Sequence, residues 1–253
     1  MKKTIITIIA CTFILFSCAS NKLMAPESEG EKLAILYADA LKKTKKKDYV
    51  DAAIIFEDIE RQYPYTSWAS KSQLMAGFCY LRSNMHDESI NVIERYLALN
   101  PGSNEIDYAN YLKSLNYFNQ ISDAQRDQSL TLAALKSFKE VVSRFPDSDY
   151  AKDSKEKIKI INDRLASKEL YIAREYQKDH QWVSAIARYN YIIENFSQTK
   201  FAPESLHRLV EIYLSLGLID EAKKYAATLG YNYPSSYWYK ASYKLINENT
   251  KTT

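Results

Sequence analysis

The sequence predicts an all-α protein, an α-solenoid of five helix hairpins with a C-terminal capping helix. Three observations predict it. A helical pattern of one small and several large apolar residues recurs five times at constant internal spacing, and each copy runs into the same kind of stop. Glycine supplies only 5 of 253 residues, about 2% against the usual ~7%, too few for sheet folds whose turns depend on it. A chain of this length holds one or two ordinary domains, but a stacked array needs no domain boundary.

The unit is clearest between Asp48 and Pro64. Ala52, Phe56, Ile59 and Tyr63 stand at i, i+4, i+7 and i+11, so one small and three large groups share a helical face. Pro64 ends the helix, because proline has no N–H for the ladder and biases the preceding residue away from helical angles. The spacing returns as Ser89, Ile93, Tyr96, Asn100, Pro101; as Ala134, Phe138, Val141, Phe145, Pro146; as Ala185, Tyr189, Ile192, Phe196, Ser197; and as Ala222, Ala226, Leu229, Tyr233, Pro234. A small residue at a fixed place implies a neighbouring helix passing close to the backbone. Nine positions upstream stand Tyr80, Tyr176 and Tyr213, each preceded at three residues by Gly77, Ala173 or Val210, which makes that segment a second helix. Two helices per unit with these positions resemble the tetratricopeptide repeat. The 21 tyrosines against 9 phenylalanines suit the seams of such a stack, where large side chains keep one wet end.

At the N-terminus, Lys2 and Lys3 precede a nearly apolar run of 13 residues, Thr4 to Phe16. As a helix it reaches about 20 Å, short of a bilayer core of about 30 Å, so residues 1–17 read as a signal peptide. Leu15-Phe16-Ser17-Cys18 resembles a bacterial lipobox; the alternative is a secretory signal with an incidental cysteine. The lipobox implies an N-acyl diacylglyceryl lipid on Cys18, three acyl chains in all. At about 0.8 kcal/mol per buried CH₂, these hold far better than one chain. Ala19 stands where aspartate retains lipoproteins in the inner membrane, which favours the outer membrane and its periplasmic face. Cys11 leaves with the signal, so Cys79 is left without an internal disulfide partner and reads as a small buried group. Without Lys2 and Lys3 the chain carries 32 basic and 31 acidic residues, a balance that gives no reason to propose nucleic acid.

Residues 18–27 form a lipidated tether, and 28–247 the solenoid, with N-terminal repeats in 28–101 and C-terminal repeats in 102–247. Ser28-Glu29-Gly30-Glu31 is a capping box before a helix with Leu33, Leu36, Tyr37 and Ala40. Lys42 to Lys47, KKTKKK, reads as a solvated helix end and turn, with contact to anionic head groups as the alternative. All length variation lies between one stop and the next small residue, and it is greatest in the middle. SDAQRDQS, 122–129, is polar enough for an exposed loop. Asp147 to Gln177 holds no Gly or Pro, and Ile158, Ile161, Leu165 and Ile172 recur at helical spacing, which predicts one long helix or two nearly continuous ones. Ser236 to Asn247 forms the closing helix, with Trp238, Tyr239, Tyr243 and Leu245 to cover the last face. Residues 248–253 read as a disordered tail.

No catalytic or metal site is expected. His86, His180 and His207 lack ligand spacing and read as surface residues, and no nucleophile elbow, dinucleotide or phosphate loop occurs. The chain is expected to be no enzyme and to carry no cofactor beyond the lipid.

A finer match lies in LNPGSNEIDYANY (99–111), SDAQRD (122–127), RFPDSDY (144–150), NDRLA (162–166) and WVSAIAR (182–188). With the lipobox and five repeats, these segments resemble the BamD family, lipoproteins of the machinery that inserts β-barrels into the outer membrane. The departures are Ser197 in place of proline and a shorter loop near Ser122. The resemblance implies a scaffold whose C-terminal repeats hold a POTRA domain of the barrel-forming subunit, beside other assembly lipoproteins. Its N-terminal repeats would receive the C-terminal strand of unfolded outer-membrane proteins. Lys71, Leu74, Phe78 and Leu81 are expected to line the concave side, where a lysine among apolar groups suits a carboxyl terminus after an aromatic residue. Tyr65 and Trp68 border that groove or join the inter-repeat core. Arg164, Arg174 and Arg188 are the candidates for the subunit contact. The alternative function is a periplasmic adaptor lipoprotein for envelope proteases or cell-wall enzymes.

Overall fold

The computed structural model describes residues 29–121 and 128–251, the last two by backbone alone. The expected signal peptide, Cys18, the expected tether, Ser28 and most of the expected 122–129 loop lie outside the described residues. Eleven helices follow one another among those described: α1 (Glu29–Lys45), α2 (Tyr49–Gln62), α3 (Ser67–Arg82), α4 (His86–Leu99), α5 (Ile106–Asn119), α6 (Ser129–Arg144), α7 (Asp149–Lys178), α8 (Trp182–Asn195), α9 (Ala202–Ser215), α10 (Ile219–Asn232) and α11 (Tyr237–Lys251). Each packs on the next in the chain, giving five hairpins and a closing helix.

The repeated pattern is the packing code. Ala52, Ser89, Ala134, Ala185 and Ala222 are all fully buried, as are Phe56, Ile93, Phe138 and Tyr189 one turn later; Ala226, at the same place in the last hairpin, is half-buried. At Gly77 the approach is very close, for a Cβ there would stand 2.6 Å from Cγ1 of Ile93. The second helices all stop alike. Tyr63, Asn100, Phe145, Phe196 and Tyr233 share φ between −126° and −137°, and each donates its N–H to the carbonyl four residues back. Phe196 does so although Ser197 follows it, so that departure from proline leaves the stop unchanged.

Four of the five first helices, all but α5, share an ending too. Lys47, Asn84, His180 and Gly217 adopt φ of 57° to 73°, each five residues before a buried small residue. Around them the N–H of the next residue reaches back five positions, as in Asp48 to Lys43 at 3.0 Å, Met85 to Tyr80 at 2.9 Å, Gln181 to Tyr176 at 2.9 Å and Leu218 to Tyr213 at 2.8 Å. This is the Schellman closure, which satisfies carbonyls the helix leaves open. Three of the four left-handed residues are not glycine, and the closure holds them there against a cost of about 1–2 kcal/mol each.

Ser89 replaces the small alanine for a reason. Its Oγ donates to the Gly77 carbonyl at 2.7 Å and accepts from Asn116 Nδ2 at 2.8 Å. Asn116, fully buried, donates also to Leu112 O, and its Oδ1 meets His86 Nδ1 at 3.0 Å. This chain of polar groups ties α3, α4 and α5 together. Ser89→Ala fits the space, as the other units show, but leaves one buried Asn116 donor unmet. A loss of about 1–3 kcal/mol is expected in urea titration, more than an ordinary Ser→Ala change.

The elaborated middle is one helix. α7 runs 30 residues without a break, against 14 to 16 for its neighbours α5, α6, α8 and α9. Ser148 caps it by accepting from Tyr150 N, and Ile161, Leu165, Leu170 and Ala173 bury its long seam. At the C-terminus the structure corrects two expectations. α11 continues to Lys251, past Asn247, because no breaker intervenes and Asn249 bonds back to Leu245 O at 2.9 Å. Tyr243 faces outward at 62% exposure; Ser242 is the buried residue, while Trp238 and Tyr239 do cover the last hairpin.

Tyrosines sit with rings in seams and hydroxyls on polar partners: Tyr80 on Glu57 at 2.7 Å, Tyr111 on Asp153 at 2.6 Å, Tyr189 on Gln177 at 2.7 Å and Tyr233 on Ser197 O at 2.6 Å. Cys79 is fully buried 3.5 Å from Thr44 Oγ1, and burial pushes its thiol pKa up, which suits a packing role.

Candidate functional site

First helices of successive hairpins touch, α3 with α5, α5 with α7 and α7 with α9, so they form the tighter, inner row of the stack. On α3 the open stripe is Trp68, Lys71, Met75, Phe78 and Arg82, at i, i+3, i+7, i+10 and i+14. This corrects the expected set at two positions. Leu74 and Leu81 are buried in the seam with Ile93, Tyr96, Ala109 and Leu112, because they point along the stack toward the next hairpin. Leu81 still shows an edge to a cavity of about 310 Å³ between α3 and α5, lined also by Phe78, Arg82, Tyr108, Leu115 and Asn119.

Among the described residues, Arg82 is the one charged group on that cavity's wall. Its guanidinium lies 5.5 Å from the Tyr49 ring centre, and Phe78 meets the same ring edge-on at 6.3 Å. Burial pushes the Tyr108 hydroxyl up to about 12, so it stays neutral. An apolar, aromatic pocket with a single cation suits a peptide side chain beside a carboxylate. Lys71 is exposed at mid-stripe, and Trp68 packs edge-on against Tyr37 of α1 at 4.8 Å, on the border of groove and core. Tyr65 lies elsewhere. It is fully exposed at φ 67° on the α2–α3 turn, at the rim of a separate cavity of about 570 Å³ with Leu99 and Gln73.

The three arginines do not converge. Arg164 is exposed and forms no ion pair among the described residues. Arg174 Nε donates to Glu204 Oε1 at 3.1 Å, joining α7 to α9. Arg188 on α8 donates to Glu169 at 2.8 Å, on the side of α7 opposite Arg164. Two side chains not anticipated complete the Arg164 face: Ile160 at 44% exposure and Tyr171 at 55%. At 100° per residue Ile160, Arg164, Tyr171 and Arg174 fall within about 80° of one another, an open stripe some 21 Å long.

His207 is no surface residue either. It is 6% exposed, bonded to Ser242 Oγ at 2.7 Å and tilted against Trp238 at 5.0 Å, which fastens α11 to α9. His86 is half-buried, and His180 is exposed. Burial opposes the charge of Glu211, yet His207 Nε2 at 3.4 Å and Arg208 Nη1 at 2.9 Å hold its pKa down to about 2. A carboxylate depressed in the fold stabilises fully above its ordinary 4.5 and loses that contribution as pH falls through about 2. Protection of the α11 amides, taken relative to their intrinsic rates at each pH, is therefore expected to fall between those values, and less so in Glu211→Gln.

Among the described residues no group of three His, Cys, Asp or Glu side chains is arranged to hold a metal ion, and no helix is long and apolar enough to cross a membrane. Residues 30–229 match the family described as outer membrane lipoprotein, YfiO. The outer membrane protein assembly factor BamD of Caulobacter vibrioides is 41% identical over 221 residues, 87% of this chain and 72% of that protein. Its namesake in Rickettsia prowazekii is 40% identical over 227 residues, 90% of this chain and 88% of that one. Among solved structures, a thermophilic TPR protein in Thermus thermophilus aligns at TM-score 0.37 and 16% identity, over 85% of this chain and 98% of that chain. The chain belongs to the BamD family of outer-membrane lipoproteins.

Proposed function

We propose that this chain is an outer-membrane protein assembly factor that works as a binding scaffold, held at the periplasmic face by lipid on Cys18. The inner groove of α3 and α5 receives the C-terminal segment of unfolded outer-membrane proteins. The open stripe of α7 holds the POTRA-bearing barrel subunit, and other assembly lipoproteins join the same complex. Family membership supports the overall role. The single observation that carries the client site is the Trp68–Lys71–Met75–Phe78–Arg82 stripe, which runs into an apolar cavity with one cation on its wall. A C-terminal aromatic residue would place its ring against Phe78 and Leu115 and its carboxylate near Arg82. The test is a photo-crosslinking residue at Phe78, with Ile54 on the exposed side of α2 as control. Client peptides ending in phenylalanine should label position 78 and lose that labelling on C-terminal amidation. Equal labelling at both positions would sink the assignment.

A further inference from the structure

α1 is the first helix of the stack among the described residues. One side packs on α2, and the opposite side meets no further hairpin among the described residues. That outer side carries Lys32, Ile35 and Lys42, which fall within about 80° of one another at 100° per residue. Lys45, Lys46 and Lys47 follow at the helix end, and all six side chains are exposed, Ile35 at 55%. Lys43 differs: its ammonium is bound to Asp51 at 3.0 Å. None of the other five lysines has an ion pair among the described residues, and only Glu31 and Asp39 set acids in the same sector.

We infer that the outer side of α1 and the lysine turn after it lie on the anionic phospholipid head groups of the leaflet that holds the Cys18 lipid. The inference rests on the lipid-anchor reading. Ten residues separate Cys18 from Glu29 and span at most about 36 Å, while the 17 residues of α1 extend about 25 Å. Both ends of α1 are thus within reach of one leaflet when the helix lies along it. A flat approach sets five ammonium groups, without ion pairs among the described residues, against phosphates and lets Ile35 enter the head-group layer, the pattern of an interfacial helix. Nothing in the stack itself requires those lysines: Ala40 and Leu33, on the other side, do the packing.

The experiment uses the mature, lipidated protein in vesicles of phosphatidylethanolamine with phosphatidylglycerol, roughly three to one, and in vesicles with phosphatidylcholine as the second lipid instead. Lysines are acetylated with a water-soluble reagent and read by mass spectrometry. Lys32, Lys42 and Lys45 to Lys47 should react at least about threefold more slowly on the anionic vesicles, with the difference gone in ~0.5 M salt. Lys223 and Lys244, at the far end of the chain, should react alike on both. The double variant K42E/K46E should lose the protection at its remaining lysines. The intact mass of the same sample reports acylation of Cys18, so a failed anchor is told apart from a failed surface. On acylated protein, equal rates on the two kinds of vesicle would overturn the inference. So would protection that appears only in whole envelopes, which would assign the lysines to an acidic protein partner.

Discussion

Phe138→Ala is expected to cost about 3–5 kcal/mol, the range for removing a buried aromatic ring. Phe138 is fully buried in the largest core of the stack, with Tyr111 at 6.2 Å and Phe118 edge-on at 6.0 Å between ring centres. It sits where α6 meets α5 behind it and α7 ahead, so its loss strikes two seams at once. In a linear array, stability is a sum of unit and nearest-neighbour terms, and a weakened centre lets the ends respond separately. Urea unfolding should therefore shift to lower concentration and broaden. Amide exchange should quicken through α5 to α7 while α2 to α4 keep their protection. A loss below about 1 kcal/mol with a single sharp transition would mean that the seam does not couple the two halves. The same position in the last hairpin is Ala226, half-buried, so no comparable cost arises there.

The fold was legible because a solenoid repeats its code. Five small residues and five stops follow from short-range spacing, as does helix across the elaborated middle, though spacing alone left one helix or two nearly continuous ones open there; short-range spacing is what a single sequence carries. The third hairpin was harder. Its first helix holds Ser114-x2-Tyr117, with Ser114 fully buried against Ser137 Oγ at 2.7 Å, but the tyrosine lies 17 residues before Ala134 in place of the usual nine. The left-handed turn residues were partly hidden for another reason: Gly217 and Asn84 are types that favour such geometry at a helix end, but Lys47 announces nothing of the kind.

The sites were less legible, and the cause is the same in each case. A first helix in a stack has two apolar faces, one toward its partner and one toward the next hairpin. Spacing on α3 identifies both Leu74 and Phe78 as apolar, but only the position of α5 decides that Leu74 is covered and that Met75 and Arg82 are open. The acid partners of Arg174 and Arg188 lie 30 and 19 residues away, and His207 meets Ser242 across 35. No local pattern encodes such pairs. Ile160 and Tyr171 did carry a signal, two large apolar groups eleven apart on a helix whose other face was already filled. It becomes readable once Ile161, Leu165 and Ala173 are assigned to the seam.

That distinction sets the second large effect. The triple variant Ile160→Glu, Arg164→Glu, Tyr171→Ala is expected to lower co-purification with the POTRA-bearing barrel subunit at least tenfold, equivalent to about 1.4 kcal/mol or more of binding. Exposed aromatic and arginine side chains in one stripe are the residue types on which interfaces concentrate their energy, and two of the changes put a negative charge where the surface now carries apolar area or a cation. Because all three side chains are open and unpaired among the described residues, thermal stability should stay within about 0.5 kcal/mol of the parent for each change. Replacing Arg174 or Arg188 instead would mix two effects. Loss of Arg174 leaves Glu204, 7% exposed, with Arg208 alone, and loss of Arg188 strips Glu169 of its partner, so stability falls together with any loss of binding. Ile54→Glu on α2, equally exposed and remote from α7, controls for added charge. If the triple variant recovers the subunit as well as Ile54→Glu does, the open face of α7 is not where the subunit docks.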